Sequence, residues 1–233
     1  RHALEALRCA CLVARAVPSW PHFEADEVQA ARAVLESGKV NYWTGPEGKL
    51  FEQEFAAYHG RKHGVAMSNG TVTMEAALHA LGVGPGDEVI VPSRTFIATA
   101  SCVVAIGARP ICADIDPVSG NLTAETAAAV ATPRTKAVIP VHIGGWPCEL
   151  AALTELCSSR KWHLFEDCAQ AHGAKYRGKL VGGFGVASSF SFCQDKIMTT
   201  AGEGGMLLVD DDALMKKAWA RKDHGKGYDT VHK

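Results

Sequence analysis

The chain has 233 residues, 47% of them hydrophobic and 21% charged, a composition that predicts about one large globular domain and excludes a disordered chain. The 24 basic and 25 acidic residues give a formal net charge of −1 and are intermixed, so no long-range field favours nucleic acid or an anionic membrane. No apolar run reaches the roughly 20 residues of a membrane-spanning helix, which predicts a soluble protein without membrane contact.

The N-terminal 17 residues contain three arginines and one acidic residue, a composition that also suits a remnant of a targeting signal. A first helix is predicted from residue 26, with an acidic first turn and Gly38 just past its end. A second is predicted over residues 49–60, with Gly60 as its stop. Its apolar side is predicted to comprise Leu50, Phe51, Phe55 and Tyr58.

Short strand-like runs then alternate with helical segments. The strand-like runs are "GVAMSNG", "DEVIVPS", "RPICADID", "KAVIPVHI", "WHLFEDCA", "VASSFSF" and "GGMLLVDD". This order predicts an α/β fold with a mostly parallel sheet flanked by helices, in which the last two runs pair antiparallel. Ligands of such sheets bind beyond the carboxyl ends of the strands, so the residues that follow each run are candidates for a site.

Eight cysteines are spread along the chain without any C-x-x-C pair. Most lie in apolar runs, which argues against a zinc site and against a secreted disulfide framework. We interpret them as reduced, buried residues of a cytoplasmic protein. They are Cys9, Cys11, Cys102, Cys112, Cys148, Cys157, Cys168 and Cys193.

One candidate anion site lies in "MSNGT", where a strand leads into a helix. Free N–H groups at the helix start and the Thr71 hydroxyl suit a phosphate, although Asn69 or Thr71 could also be a simple helix cap. The chain has no dinucleotide fingerprint between a strand and a helix and no nucleoside-triphosphate loop.

Two acidic residues, Glu166 and Asp167, end another apolar strand, and Gln170 and His172 follow them. A buried carboxylate needs a cationic or donor partner. The acids therefore either form a structural salt bridge or a helix cap, or hold a heteroaromatic nitrogen protonated.

Three further residues follow strands directly. Phe96 is either a core residue or a stacking platform for a flat ring, and His142 is either a structural or a catalytic histidine. Lys196 ends an apolar run before the glycine-rich turn at 202–205, which suits a surface cation or an amine used in chemistry.

Together these features supply the contacts that pyridoxal phosphate requires. A lysine forms the Schiff base, an acid holds the pyridinium, an aromatic ring stacks on the cofactor, and a helix start binds the phosphate. The combination predicts pyridoxal 5′-phosphate as the cofactor, with no metal.

The sequence resembles the DegT/DnrJ/EryC1/StrS family of pyridoxal-phosphate-dependent nucleotide-sugar aminotransferases from residue 20 to about 228. The resemblance implies the type I aminotransferase fold, with 1–19 as an N-terminal extension and 20–233 as the cofactor-binding large domain, and a homodimer whose active sites borrow residues from the other subunit. The matching segments are "WPHFEADEVQAARAVLESGKVNYWTGPEGKLFEQEFAAYHG", "MSNGT", "GDEVIVPSRTFIATA", "FEDCAQAHGA", "SFSF" and "GEGGMLLVDD".

The resemblance also implies roles for single residues. Lys196 matches the Schiff-base lysine, and Asp167 matches the partner of the pyridine nitrogen. Gln170 matches the residue beside the ring hydroxyl, and Phe96 matches the aromatic stacked on the ring. The residues that match phosphate contacts are Thr71 and Ser191, with the backbone of Gly70 and Val72.

The activity implied is transamination in sugar, polysaccharide or antibiotic biosynthesis. An amino acid, by family analogy glutamate, gives its nitrogen to the cofactor, which passes it to a keto-sugar linked to a nucleoside diphosphate, with Lys196 as anchor and general base. Two alternatives stay open: an inactive, truncated remnant, and a sugar dehydratase on the same scaffold, whose relatives carry histidine in place of Lys196.

The chain departs from the family pattern in two places. Family members read S-F-H-P-T-K-N where this chain has "SFCQDKI", so Cys193, Gln194, Asp195 and Ile197 replace the usual residues. Asp195 is expected to favour the charged ammonium of Lys196, the form that does not form a Schiff base. Family chains also continue into a small C-terminal domain to which nothing here corresponds, so part of the substrate site is expected to be lacking.

Overall fold

The computed structural model describes residues 19–232. Cys9, Cys11 and the segment that resembles a targeting remnant lie outside the described residues. The chain divides into two compact units, Arg1–Val40 and Asn41–Lys233. In the first, helix α1 (Ala25–Ser37) begins with a capping box between Glu24 and Glu27 and ends at Gly38, whose φ is 68°. The first predicted helix and its glycine stop are thus confirmed.

The described part of the second unit, residues 41–232, contains nine strands. They are β1 (His63–Met67), β2 (Glu88–Pro92), β3 (Arg109–Ala113), β4 (Thr135–Val138), β5 (His163–Asp167), β6 (Lys175–Tyr176), β7 (Lys179–Leu180), β8 (Ala187–Ser191) and β9 (Gly205–Val209). Its α-helices are α2 (Glu47–Tyr58), α3 (Gly70–Ala80), α4 (Ala98–Ala105), α5 (Ala124–Ala129), α6 (Leu150–Arg160), α7 (Asp212–Lys222) and α8 (Tyr228–Val231). No helix in the described part of the chain is both long enough and apolar enough to cross a membrane.

Seven strands form one sheet in the order β1-β9-β8-β5-β4-β2-β3. All neighbouring pairs from β8 to β3 are parallel, whereas β9 is antiparallel to both β8 and β1. Both sequence predictions are confirmed: the sheet is mostly parallel, and the last two strands of the sheet pair antiparallel.

Helices cover both faces of this sheet. Because side chains alternate along a strand, Phe165 and Leu207 pack with α3, α4 and α7, while their neighbours Leu164 and Leu208 face α2, α5 and α6. The strands are therefore buried on both sides, which explains their nearly continuous apolar sequences.

The apolar side predicted for α2 is only partly correct. Leu50 and Tyr58 are exposed, whereas Phe55 and Glu52 are buried. Glu52 is buried because its carboxylate accepts the Ala66 N–H at 2.8 Å and pairs with the Lys222 ammonium at 3.2 Å. Helical spacing alone did not reveal this buried acid.

The cysteine interpretation also needs one correction. Four of the described cysteines are buried as expected, but Cys193 is half-buried and Cys112 is exposed. Cys112 lies in β3, the last strand in the sheet order. A strand at a sheet edge can leave alternate side chains in solvent, which the apolar sequence around Cys112 does not indicate.

Gly205 allows the backbone of β9 to approach the backbone at Asn69 and Gly70 closely. A Cβ atom on Gly205 would overlap the backbone carbonyl group of Asn69 and lie 2.8 Å from the nitrogen of Gly70. The first residue of β9 therefore packs directly against the turn that leads from β1 into α3. Only glycine lets the start of α3 lie beside the end of β8.

Gly205→Ala is expected to lower the free energy of unfolding by about 3 kcal/mol, because rigid backbone atoms must move to admit the methyl group. Urea unfolding followed by circular dichroism measures this change. Gly84→Ala is the matched control, since a Cβ there has open space. Equal unfolding midpoints for the two variants would contradict the packing role of Gly205.

Candidate cofactor site

The carboxyl ends of the parallel strands meet at one edge of the sheet and border a cavity of about 440 Å³, which is within the size range of small-ligand sites. Seven of the eight residues matched to the cofactor line this cavity. They are Gly70, Thr71, Phe96, Asp167, Gln170, Ser191 and Lys196. Val72 is not among the lining residues, and its N–H donates to Asn69 Oδ1 at 2.9 Å.

A second hollow, of about 480 Å³, lies where β4 and β5 begin and is lined by Lys136, Arg160 and Trp162. It lies at the amino ends of the parallel strands, opposite the first cavity, and no carboxylate of the described residues lines it. Since open parallel sheets bind ligands at the carboxyl ends of their strands, we place the site in the first cavity.

The start of α3 forms the candidate phosphate seat. Asn69 caps the helix, which leaves Gly70 and Thr71 at the first two helical positions, where N–H groups have no acceptor within the helix. Ser191, at the end of β8, lies close by, because a Cβ on Gly70 would come within 3.0 Å of the Ser191 Cβ. Two hydroxyls and a helix N-terminus thus border the same end of the cavity, and such a set suits an anion.

The two adjacent acids of β5 have different surroundings. Glu166 accepts the N–H groups of Gly182, Phe184 and Gly185 at 2.7–2.8 Å and contacts His142 Nε2 at 3.3 Å. Burial alone would raise the pKa of Glu166, but these donors outweigh it and lower the pKa. Glu166 therefore has the structural role, as an anchor for the loop at 182–185.

His142 is also structural. Its Nδ1 accepts the Cys148 N–H at 3.1 Å, so its Nε2 carries the proton that it donates to Glu166. The ring is fully buried and does not line the cavity. Of the two readings that the sequence left open for His142, the geometry favours the structural one.

Asp167 faces the cavity with its charge only partly compensated. Its Oδ2 accepts the Thr99 hydroxyl at 2.8 Å, and its Oδ1 accepts the Ala169 N–H at 3.1 Å. Both donors are neutral, and no cationic side chain among residues 19–232 lies within salt-bridge distance of it. Burial raises the pKa of Asp167, so a cationic group in the cavity would gain a strong partner.

Lys196 lies in the loop between β8 and β9. The loop closes on itself through the Phe192 N–H to Gly204 O bond at 2.8 Å and the Gln194 N–H to Gly202 O bond at 2.9 Å. The Lys196 side chain is 17% exposed and its Nζ lies 3.1 Å from Asp195 Oδ2. The loop thus holds one mostly shielded amine at the cavity wall.

The residues that differ from the family pattern surround this amine. The Lys196 ammonium lowers the pKa of Asp195, so the ion pair suggested by the sequence is present. The Cys193 thiol donates to Glu203 Oε1 at 3.3 Å, and that carboxylate raises the pKa of the thiol. Cys193, Asp195 and Glu203 all line the cavity.

Phe96 and Gln170 complete the predicted set. Phe96 is 66% exposed, so it is not a core residue, and it lies between β2 and α4 at the cavity. Gln170 uses its side-chain oxygen to accept the Gly144 N–H at 2.7 Å. The side chain is thereby held at the cavity wall.

Two hydroxyl residues of the site were missed at the level of sequence. Thr99 donates to Asp167, and Thr95 lies 2.7 Å from the Thr99 hydroxyl. The available signal was the four-residue spacing in "TFIAT", which brings the two side chains to one side of a helical turn.

The fold is that of pyridoxal-phosphate-dependent aminotransferases. The solved aminotransferase from Psychrobacter cryohalolentis superposes with a TM-score of 0.91 at 51% identity, over 92% of this chain and 54% of that one. Bacillus subtilis NtdA, solved with bound cofactor PMP, matches with a TM-score of 0.79 at 30% identity, over 85% of this chain and 45% of that one.

The sequence gives the same result at the level of the family. The DegT/DnrJ/EryC1/StrS aminotransferase family matches residues 21–233, and the chain belongs to this family. Similar curated proteins include 3-amino-5-hydroxybenzoate synthase of Amycolatopsis mediterranei, 40% identical over 90% of this chain and 54% of its own length. GDP-perosamine synthase of Caulobacter vibrioides is 46% identical over 80% of this chain and 50% of its own length.

The family depends on pyridoxal phosphate, and the donor set in the cavity fits that group. An amine, a buried carboxylate without a cation and a helix N-terminus flanked by hydroxyls correspond to an aldehyde, a ring nitrogen and a phosphate. The chain spans about half the length of the curated relatives that it matches.

Proposed function

We propose that this chain forms the cofactor-binding part of an aminotransferase that moves nitrogen from an amino acid, most simply glutamate, to a keto-sugar linked to a nucleoside diphosphate. One observation carries the proposal: a shielded amine, Lys196, lines one cavity with a buried carboxylate, Asp167, that has no cationic partner within the described part of the chain. The name of the Caulobacter relative, GDP-perosamine synthase, supports a nucleotide-linked sugar, and we place the reaction in the cytoplasm.

When bound, pyridoxal phosphate supplies an aldehyde and an electron-withdrawing ring. Lys196 Nζ would hold this group covalently and, as a free amine, would be the base that moves a proton at the substrate carbon. Asp167 would hold the ring nitrogen in its protonated form, which would stabilise negative charge on the reacting carbon. Phe96 would hold the ring by stacking, and Gln170 would hold the ring hydroxyl.

Thr71, Ser191 and the N–H groups at the start of α3 bind the phosphate in this proposal. The Gly70 backbone contributes to this seat, whereas the Val72 N–H is already used by Asn69. All of these donors are neutral, so their binding energy comes from hydrogen bonds and the helix dipole.

A second copy of the chain completes the site. Among residues 19–232, three carboxylates line the cavity, from Asp167, Asp195 and Glu203, against the single amine of Lys196. A phosphate that carries nearly two negative charges would meet an unfavourable field in such a cavity. We therefore propose a homodimer in which the partner supplies a cationic group.

The proposed function is tested by adding glutamate to the chain loaded with pyridoxal phosphate. The visible absorbance band is expected to give way to the spectrum of the pyridoxamine form, and a nucleotide-linked keto-sugar is expected to restore the band. A chain that binds the cofactor without this exchange would support the inactive remnant instead.

Ser191→Ala is expected to weaken cofactor affinity about tenfold, because one charge-assisted hydrogen bond to the phosphate is lost. The dissociation constant is measured by fluorescence titration with pyridoxamine phosphate, which does not bond covalently to Lys196. Ser101→Ala, in the exposed part of α4, serves as the control. An unchanged affinity in Ser191→Ala would contradict the phosphate role.

A further inference from the structure

Asp167 is held by a chain of two hydroxyl groups. The Thr99 hydroxyl donates to Asp167 Oδ2 at 2.8 Å, and the hydroxyls of Thr95 and Thr99 lie 2.7 Å apart. A hydroxyl has one proton, so a Thr99 that donates to Asp167 must accept from Thr95. The hydrogen bonds therefore run in one direction, from Thr95 through Thr99 to the carboxylate.

The two hydroxyls lie at different depths in the fold. Thr99 is fully buried in the first turn of α4, whereas Thr95 lines the cavity. The backbone of Asp167 is also fixed, since its N–H donates to Pro140 O at 2.9 Å and its carbonyl accepts the His142 N–H at 3.3 Å. The backbone thus holds Asp167 in place, and the hydroxyl contact acts on its carboxylate.

We propose that Thr99, supported by Thr95, is a positioning residue that keeps Asp167 ionised and its Oδ2 fixed, so that the carboxylate is ready for the cofactor's ring nitrogen. This inference rests on the role given to Asp167 in the proposed function. It goes further in assigning two hydroxyls, neither of them among the residues matched to the cofactor, to the control of that role.

The physical reason is the cost of a buried charge. Asp167 is 5% exposed, and a carboxylate removed from water is protonated more easily unless donors compensate for the lost hydration. Two hydroxyls in series polarise each other, so the Thr99 donor is stronger with Thr95 behind it than alone. The Ala169 N–H supplies the only other direct donor to the carboxylate within the described residues.

Other ionisable groups surround Asp167 without replacing this donor. Lys196 favours its charged form from a distance, while the neighbouring thiols and Glu166 do not donate to it. The ionisable groups near Asp167 lie on and just after β5, on α4, in the segment after β4 and in the β8–β9 loop; they are Glu166, Cys168, Cys102, His142, Cys148 and Lys196.

The test measures the titration of Asp167 in the ligand-free chain by NMR of ¹³Cγ-labelled aspartate, with the signal assigned by its loss in Asp167→Asn. Thr99→Val, which keeps the side-chain shape but removes the donor, is expected to raise the midpoint by about one pH unit. Thr99→Ser keeps a hydroxyl and should stay close to the parent. Thr95→Val, which leaves the buried residue intact, should raise the midpoint by a few tenths of a unit, and it serves if Thr99→Val does not fold.

Binding of pyridoxamine phosphate at pH 7 distinguishes a failure of the role given to Thr99 from a failure of the proposed function. Thr99→Val should bind it more weakly than the parent, with the loss reversed in Thr99→Ser. Equal midpoints in parent, Thr99→Val and Thr95→Val, with normal binding by the parent, would overturn the role of Thr99 alone. A parent chain that does not bind pyridoxamine phosphate would overturn the proposed function and this inference with it.

Discussion

Lys196→Ala is expected to abolish covalent retention of pyridoxal phosphate and to slow nitrogen transfer from glutamate by about 10⁴-fold or more, since one amine serves as both anchor and base. Single-turnover absorbance with the loaded chain measures this rate. Phosphate, stacking and Asp167 contacts all remain in the variant, so non-covalent binding of pyridoxamine phosphate should persist.

Lys136→Ala is the matched control for this experiment. Lys136 is an exposed lysine at the start of β4, at the edge of the sheet opposite the cavity. The Lys136→Ala variant should retain the visible absorbance band of the cofactor and transfer nitrogen at the rate of the parent. If Lys196→Ala transferred nitrogen at a rate within tenfold of the parent, the assignment of the amine would be wrong.

Asp167→Ala is expected to retain pyridoxal phosphate through its bond to Lys196 and to reduce transfer by about two to three orders of magnitude, because the charge that stabilises the developing carbanion is lost. Asp167→Asn should behave similarly, since the amide keeps the shape without the charge. The measurement is kcat with glutamate alongside the dissociation constant of pyridoxamine phosphate.

Glu166→Gln gives the comparison that makes this prediction specific. Glu166 precedes Asp167 in β5, but its carboxylate does not line the cavity. It accepts hydrogen bonds from three backbone N–H groups and from His142. Loss of that charge should lower the free energy of unfolding by about 3 kcal/mol and leave kcat of the folded fraction nearly unchanged. The reverse pattern would show that the two acids have been assigned the wrong way round.

The sequence predicted the fold closely because the apolar runs, the turn residues and the lengths of the connections all indicated the same arrangement of strands. Apolar runs bounded by glycine and polar turns marked the strands of the large sheet, and the short connection before "GGMLLVDD" indicated the antiparallel pair that β8 and β9 form. The two-residue strands β6 and β7 were missed, since a turn at Arg177 and Gly178 with positive φ is a weaker signal than a long apolar run.

The sequence predicted which residue types could take part in the site, but not which residues contact one another there. Alternation along β5 places Glu166 and Asp167 on opposite sides of the strand, but their sequence does not reveal which one meets the loop at 182–185. Thr95 and Thr99 look like ordinary helix-start residues until Asp167 is brought beside them from 68 positions away. Such long-range partners are set by the sheet order, which no local pattern contains.

The most direct measurement is borohydride reduction of the chain loaded with pyridoxal phosphate, followed by peptide mass spectrometry. Lys196 should carry the cofactor in the parent, the visible band should disappear on reduction, and neither should occur in Lys196→Ala. Modification spread over surface lysines, or no modification of the 188–206 segment, would contradict the assignment of Lys196 as the residue that holds the cofactor.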